Sequence, residues 1–148
     1  MGQQQLLLVI LVTILVGIAT IVAINVFGTA AESGNRDAVR QDLLHGVTSA
    51  QALHAKPLMF DGAEQDFTNV EGTLIERLGL TITQNYGEDG DDWGNENGIY
   101  TIDGAVTSDK FSIRGTPSSG GDDIMAIVCR DDNRQWHVVM GESPVDPC

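Results

Sequence analysis

The fold of this chain is decided by residues 6–31, which read LLLVILVTILVGIATIVAINVFGTAA. The first charged side chain in the sequence is Glu32. At about 1.5 Å of rise per helical residue, residues 6–24 alone approach the roughly 20 residues that a helix needs to cross a bilayer. No Lys or Arg precedes this run, and the run exceeds the roughly 7–15 apolar residues of a signal peptide. We therefore predict a membrane-spanning helix that belongs to the working molecule.

The helical pattern continues beyond the apolar run. Apolar residues recur at steps of three and four along one face, among them Val39, Leu43, Val47 and Leu53, which predicts an amphipathic continuation. Pro57 should end the helix, because the residue before a proline disfavours the α conformation. The predicted helix thus has a hydrophobic stem, residues 1–31, and an amphipathic part, residues 32–56.

One glycine in the stem is a candidate point of softening. Gly17 lies in the middle of the apolar run, and a glycine inside a helix costs about 1 kcal/mol relative to alanine. It favours either a local break or stretch in the helix, or a close approach of a second helix at a small residue. The sequence leaves both alternatives open.

Residues 57–148 are predicted to form an acidic, β-rich globular head. Residues 60–72 have the composition of a loop, residues 98–116 alternate as strands do, and residues 124–129 and 135–140 should pair as a hairpin. The predicted fold is α+β, a long N-terminal α-helix packed on a small antiparallel β-sheet. The helix would contribute Val39, Leu43, Val47 and Leu53 to that packing.

The charge is confined to the same part of the chain. The 21 acidic and 8 basic residues give a net charge of −13, and all of them follow the stem. A surface of this sign disfavours nucleic-acid binding, which needs a basic patch. Because such a surface repels itself less as salt shortens the Debye length, we also predict adaptation to a salt-rich environment.

The two cysteines, Cys129 and Cys148, are predicted to form a disulfide. An even number of cysteines in a chain with an export-type N-terminus favours a disulfide over free thiols. The bond would tether the C-terminal tail, and the alternative is a pair of unpaired thiols, one of them buried.

The acidic stretch around Asp89, Asp91 and Asp92 is the most metal-like segment. It fails as a helix–loop–helix calcium loop, because Trp93 and Tyr100 stand where oxygen ligands are needed. We read it as a solvated loop, with an irregular calcium site as the weaker alternative. No catalytic constellation and no phosphate-binding loop is recognisable, so we predict neither an enzyme nor a cofactor.

Taken together, four features resemble type IV pilins: a glycine beside a short polar start, an uncharged apolar helix, an amphipathic continuation, and a strand-rich head with a C-terminal cysteine pair. In that family a leader is cleaved after a glycine, the new first residue is often methylated, and a glutamate follows within the first turn. The apolar helices then leave the membrane and form the core of a filament.

The N-terminus departs from the family pattern. With Met1 as the mature first residue, Gln5 stands where the family usually carries its glutamate. Gln3, Gln4 and Gln5 offer hydrogen bonds between helices without the desolvation cost of a charge; alternatively, they form a polar helix start in the headgroup zone. Cleavage after Gly2 would instead make Gln3 the first residue. The presence of Met1 in the sequence disfavours this alternative.

The resemblance implies a major pilin: a homopolymer at the cell surface, inserted in the membrane before an inner-membrane machinery assembles it, and serving adhesion or motility. Two alternatives remain. Residues 91–95, DDWGN, faintly resemble a segment of the major pseudopilins of type II secretion, although Asp92 replaces a proline there. A single-span membrane protein with an acidic binding head is the other alternative.

Overall fold

A computed structural model of the chain describes residues 2–85 and 92–148. It confirms the predicted α+β fold. Helix α1 runs from Gly2 to Ala55 without interruption and contributes to two compact units, one ending at Gly34 and the other beginning at Asn35. The helix ends where the sequence predicts, because Pro57 is extended, with φ −63° and ψ 151°.

The second unit contains a six-stranded antiparallel sheet in which each strand pairs with its neighbour in sequence. The strands are β1 Gln84–Asn85, β2 Trp93–Gly94, β3 Gly98–Ile102, β4 Lys110–Pro117, β5 Ile124–Arg130 and β6 Trp136–Gly141. The predicted hairpin is confirmed: β5 and β6 pair with Cys129 opposite His137. Two of the six strands, β1 and β2, are only two residues long.

The core lies between the amphipathic part of α1 and one face of the sheet. Val39, Leu43, Val47 and Leu53 are buried, as predicted. Gly115 on β4 allows this close packing, because a Cβ atom there would lie 2.7 Å from Cγ1 of Val39. The sheet contributes a further set of buried side chains: Tyr100, Phe111, Ile113, Ala126 and Val128.

The prediction of a loop over residues 60–72 is wrong from Phe67 onward. A 3₁₀ helix occupies Phe67–Thr73 and leads directly into α2, Leu74–Arg77. The Asp66 side chain accepts hydrogen bonds from the amide (2.9 Å) and hydroxyl (2.6 Å) of Thr68 and so caps the first turn. Phe67, Val70 and Leu74 of this segment are buried and belong to the same hydrophobic core as α1 and the sheet.

A tight turn joins α1 to this helical segment. The amide of Ala63 donates to the carbonyl of Leu53 (2.9 Å), and that of Gln65 donates to the carbonyl of His54 (2.7 Å). Gly62 is required here, since a Cβ atom would lie 1.9 Å from the Lys56 carbonyl oxygen. The turn is therefore fixed against the end of the helix.

Candidate assembly surface

The side chains of the stem are exposed in the part of the chain that the structure describes. All residues from Gly2 to Gly34 are exposed, and the large apolar side chains between Leu6 and Phe27 are 46% to 75% exposed. An apolar surface of this extent is not stable in water. It must be covered by lipid or by other protein chains, and a helix of this length and composition is suited to crossing a membrane. A signal sequence satisfies the same criteria of length and composition.

The threonines of the stem do not make this surface polar. The hydroxyls of Thr13, Thr20 and Thr29 each donate to a backbone carbonyl three or four residues earlier, at 2.8, 2.8 and 3.0 Å. Hydroxyls bonded in this way suit an apolar surrounding, because they need no further partner there. The stem therefore presents mainly hydrocarbon to its surroundings.

The polar start belongs to the helix. Gly2, Gln3, Gln4 and Gln5 are helical and exposed, and the first turn carries no acidic residue. Amide side chains at a helix N-terminus can accept from the unpaired backbone N–H groups of another helix and can donate to its carbonyls. Met1, the remaining residue assigned to N-terminal processing, lies outside the described residues.

Gly17 does not interrupt the helix in this structure. The α-helix is continuous through it, and a Cβ atom at Gly17 would meet nothing within 4 Å. The glycine is thus dispensable for packing within the chain itself. A local break at Gly17 is absent from this structure, and a role in close approach by a second helix stays a prediction.

An aspartate on α1 organises the polar edge of the head. Oδ2 of Asp42 accepts hydrogen bonds from the side-chain amides of Asn95 (2.9 Å) and Asn97 (2.8 Å) and from the hydroxyl of Tyr100 (2.5 Å). Sequence reasoning missed this cluster, which we call the Asp42 cluster. It joins α1 to the turn before β3.

The protonation states of the cluster follow from these contacts. Partial burial would raise the pKa of Asp42, but the three hydrogen bonds that its carboxylate accepts outweigh burial and lower the pKa below its ordinary value. Burial and the adjacent Asp42 carboxylate raise the pKa of Tyr100 well above its ordinary value. The phenol is therefore a donor and the carboxylate an acceptor at every physiological pH.

Asn35, the first residue of the second unit, makes a second set of side-chain hydrogen bonds between α1 and the loops of the sheet. Its side-chain amide donates to the carbonyl of Asn97 at 2.8 Å. Its side-chain oxygen accepts from the amide and the hydroxyl of Ser119, at 3.1 and 2.9 Å. Asn35 and Asp42 together bind α1 to two loops at one edge of the sheet.

The C-terminal tail is tied to the head by a disulfide and two ion pairs. Cys129 and Cys148 are bonded, as predicted, with their Cα atoms 6.3 Å apart. The ammonium of Lys110 pairs with Asp146 and holds the pKa of that carboxyl below its ordinary value. Glu142 pairs with Arg36 of α1 at 2.5 Å. The tail is thus bound to α1 as well as to the sheet.

The weaker calcium alternative lies mostly outside the described residues and stays a prediction. Asp89 and Asp91 lie outside the described residues. Asp92 accepts a hydrogen bond from the Thr101 hydroxyl at 2.6 Å, so it positions the start of β2 on β3. Across residues 2–85 and 92–148, no group of three or more His, Cys, Asp and Glu side chains is arranged to hold a metal.

The histidines occupy separate environments. His54 is 2% exposed and packs near Phe67 and Trp136 at centroid distances of 4.9 and 5.0 Å, with Nε2 3.2 Å from an Asp109 carboxylate oxygen. His137 lies 3.1 Å from Asp131 on the β5–β6 turn. Both contacts serve packing and turn structure, as single histidines on helices and strands commonly do.

Comparison with known protein families, with curated proteins and with solved structures finds no match for this chain. Its function therefore has to be inferred from the surfaces described above.

Proposed function

We propose that this chain is the major structural subunit of an extracellular filament of the type IV pilus kind, which polymerises through its stem. The observation that carries the proposal is the contrast between the two parts of α1. The stem is uncharged and its described residues are all exposed, whereas the continuation buries one face in the hydrophobic core of the head. The apolar face of the continuation is thus covered within the chain, whereas the apolar surface of the stem needs another cover to be stable in water.

Other copies of the same helix are the partner that an assembled filament would supply. Before assembly, lipid covers the stem, and an inner-membrane machinery would transfer the chain into the filament. Burial stabilises such a core by about 25 cal/mol per Å² of apolar surface removed from solvent. The anionic heads would coat the outside and keep filaments apart.

The disulfide supports a location outside the cytoplasm, because disulfides persist in oxidising compartments. It is equally compatible with a pseudopilin or with a single-span surface protein that binds a partner through its head. These alternatives differ from the proposal in what leaves the membrane. A pseudopilin and a surface receptor remain in the membrane fraction, whereas a pilin is released in filaments.

The test is electron microscopy of material sheared from the host surface, combined with intact-mass spectrometry of the subunit. We expect filaments built from this chain, with a mass two hydrogens below that of the reduced chain. Recovery of the chain in the membrane fraction alone would contradict the proposal.

A pair of charge substitutions locates the assembly surface. Leu15→Lys places a charge in the middle of the stem, at a cost of about 2.5–3.5 kcal/mol in a lipid-like interior, and should abolish filaments. Thr48→Lys is the matched control, since Thr48 is an exposed residue of the head part of α1. Filaments from Leu15→Lys in normal amounts would contradict a stem-based core.

A further inference from the structure

Three consecutive apolar side chains are exposed directly after α1. Leu58, Met59 and Phe60 form a short 3₁₀ helix and are 48%, 82% and 61% exposed. We call them the 58–60 patch. The other large apolar side chains exposed among the described residues of the second unit, which begins at Asn35, are single in sequence: Leu44, Val138 and Val145. The patch is thus the one contiguous run of this kind in the part of the head that the structure describes.

The turn that follows holds the patch outward. Asp61, Glu64 and Gln65 all have positive φ, at 60°, 52° and 63°, a conformation that non-glycine residues adopt only when their surroundings impose it. The amide of Asp61 donates to the carbonyl of Leu58 (3.0 Å), and that of Glu64 to the carbonyl of Lys56 (2.9 Å). The patch is therefore presented by a fixed backbone and cannot fold back onto the core.

The charge of the head limits what can cover the patch. Every charged residue of the chain lies outside the stem, and the net charge is −13, so copies that approach through charged surface repel one another. An uncharged patch avoids this repulsion. Among the described residues, the contiguous apolar surfaces that it can meet on another copy are the stem and the same patch.

The area of the patch also favours a contact with another copy of the chain. Three large side chains of roughly 200 Å² each, exposed to this extent, offer about 400 Å², half of the roughly 800 Å² per partner in a standard interface. This area cannot hold two free chains together. It suffices as a secondary contact between chains that are already concentrated in one polymer.

We propose that the 58–60 patch binds a second copy of this chain in the assembled filament, as a contact separate from the stem. The inference rests on the proposed function, because the stem must first bring the copies together.

The experiment places a photo-crosslinking amino acid at Met59 of the full-length chain and isolates filaments assembled from a mixture of isotopically light and heavy subunits. After irradiation, digestion and mass spectrometry identify the peptide that is bound to position 59. We expect mixed light–heavy crosslinks, which can form only between two copies. A probe at Phe60 repeats the measurement in case substitution of Met59 disturbs the turn.

Val145 provides the matched control, because it is apolar and equally exposed, at 82%, but stands alone in sequence. A probe there should give no mixed crosslink. Filaments whose Met59 and Phe60 probes react with lipid, with a different protein or with nothing would overturn the contact and leave the proposed function intact. Absence of filaments from the wild-type chain would overturn both.

Discussion

Gly115 sets how closely α1 approaches the sheet, and replacing it is the sharpest test of the packing described above. The residue has no positive φ, so alanine is compatible with its backbone and would ordinarily favour a strand over glycine. A Cβ atom there would, however, lie 2.7 Å from Cγ1 of Val39 and 3.4 Å from both Cδ1 of Leu43 and Cδ1 of Tyr100. Gly115→Ala must therefore displace Val39 or the helix that carries it.

The magnitude follows from these distances. Overpacking a closed core costs about 1–3 kcal/mol in the free energy of unfolding. Val39→Ala removes two buried methyl groups at about 0.8 kcal/mol each, and the cavity adds to that loss. In the double variant the methyl group introduced by Gly115→Ala enters the space that Val39 vacates. We expect the double variant to be more stable than the sum of the single effects predicts, with a coupling of about 1–3 kcal/mol.

The assay is thermal unfolding of the full-length chain in mild detergent, followed by the near-ultraviolet circular dichroism of Trp93 and Trp136. Gly141→Ala is the matched control: Gly141 lies in the same sheet, and its Cβ atom would meet nothing within 4 Å. It should change stability by less than about 0.5 kcal/mol. Additive effects of Gly115→Ala and Val39→Ala, or a neutral Gly115→Ala, would refute the close packing of helix on sheet.

Four further predictions concern the head. Asp42→Asn should cost about 1 kcal/mol at pH 7, a value discounted for partial exposure. Folding lowers the pKa of Asp42. The contribution of the carboxylate to the free energy of unfolding is therefore complete above the unfolded pKa of about 3.9 and is lost as pH falls through the folded pKa. The melting temperatures of the variant and the wild type should thus converge in acid. Gly62→Ala should rearrange the turn after α1, since its Cβ atom would lie 1.9 Å from a backbone oxygen, and should cost about 3 kcal/mol or more. Replacing Cys129 and Cys148 by serine should cost about 3 kcal/mol, given a sequence separation of 19. Melting temperature should rise with salt toward about 1 M, because the head carries the net charge of −13.

Each of these predictions has an outcome that contradicts it. Parallel pH curves for Asp42→Asn and the wild type would mean that this carboxylate does not couple to folding. A Gly62→Ala chain with unchanged melting would show that the turn is not fixed against the helix end. Equal stability of the oxidised chain and the double serine variant would show that tethering the C-terminal tail does not stabilise the head. A melting temperature that does not change with salt would contradict the interpretation of the acidic surface as an adaptation to a salt-rich environment.

The sequence alone predicts the helix and the hairpin well, because both depend on local patterns. The apolar run, the spacing from Val39 to Leu53 and the stop at Pro57 define α1 without any distant contact. The β5–β6 hairpin likewise depends on two neighbouring runs and one turn. Such elements are determined by residues close together in sequence.

The composition of the segment after α1 predicts a loop, because its Gly, Asp and Thr content outweighs its periodicity. Phe67, Val70 and Leu74 in fact recur at steps of three and four, directly after Asp66, a capping residue. These signals are present in the sequence but are weak over one short segment. Burial against the rest of the head decides the structure there, as it commonly does for short helices.

The Asp42 cluster is harder to predict. Its donors lie 53 to 58 residues further along the chain, and no local pattern links them. The available signal is the position of Asp42 itself, three residues after buried Val39 and one before buried Leu43. A carboxylate at the border of a buried stripe requires partners, but the sequence does not identify which ones.

Helix α1 also has a mechanical consequence, because a single unbroken helix is common to both units. Tension applied along a proposed filament would reach a head through its stem and enter at Asn35, the first residue of the second unit. The hydrogen bonds of Asn35 and Asp42 to the loops of the sheet are then the first contacts to carry load, followed by the buried side chains from Val39 onward. No strand of the sheet lies in the chain between the stem and these contacts, so the sheet can stay intact while the attachment of α1 yields.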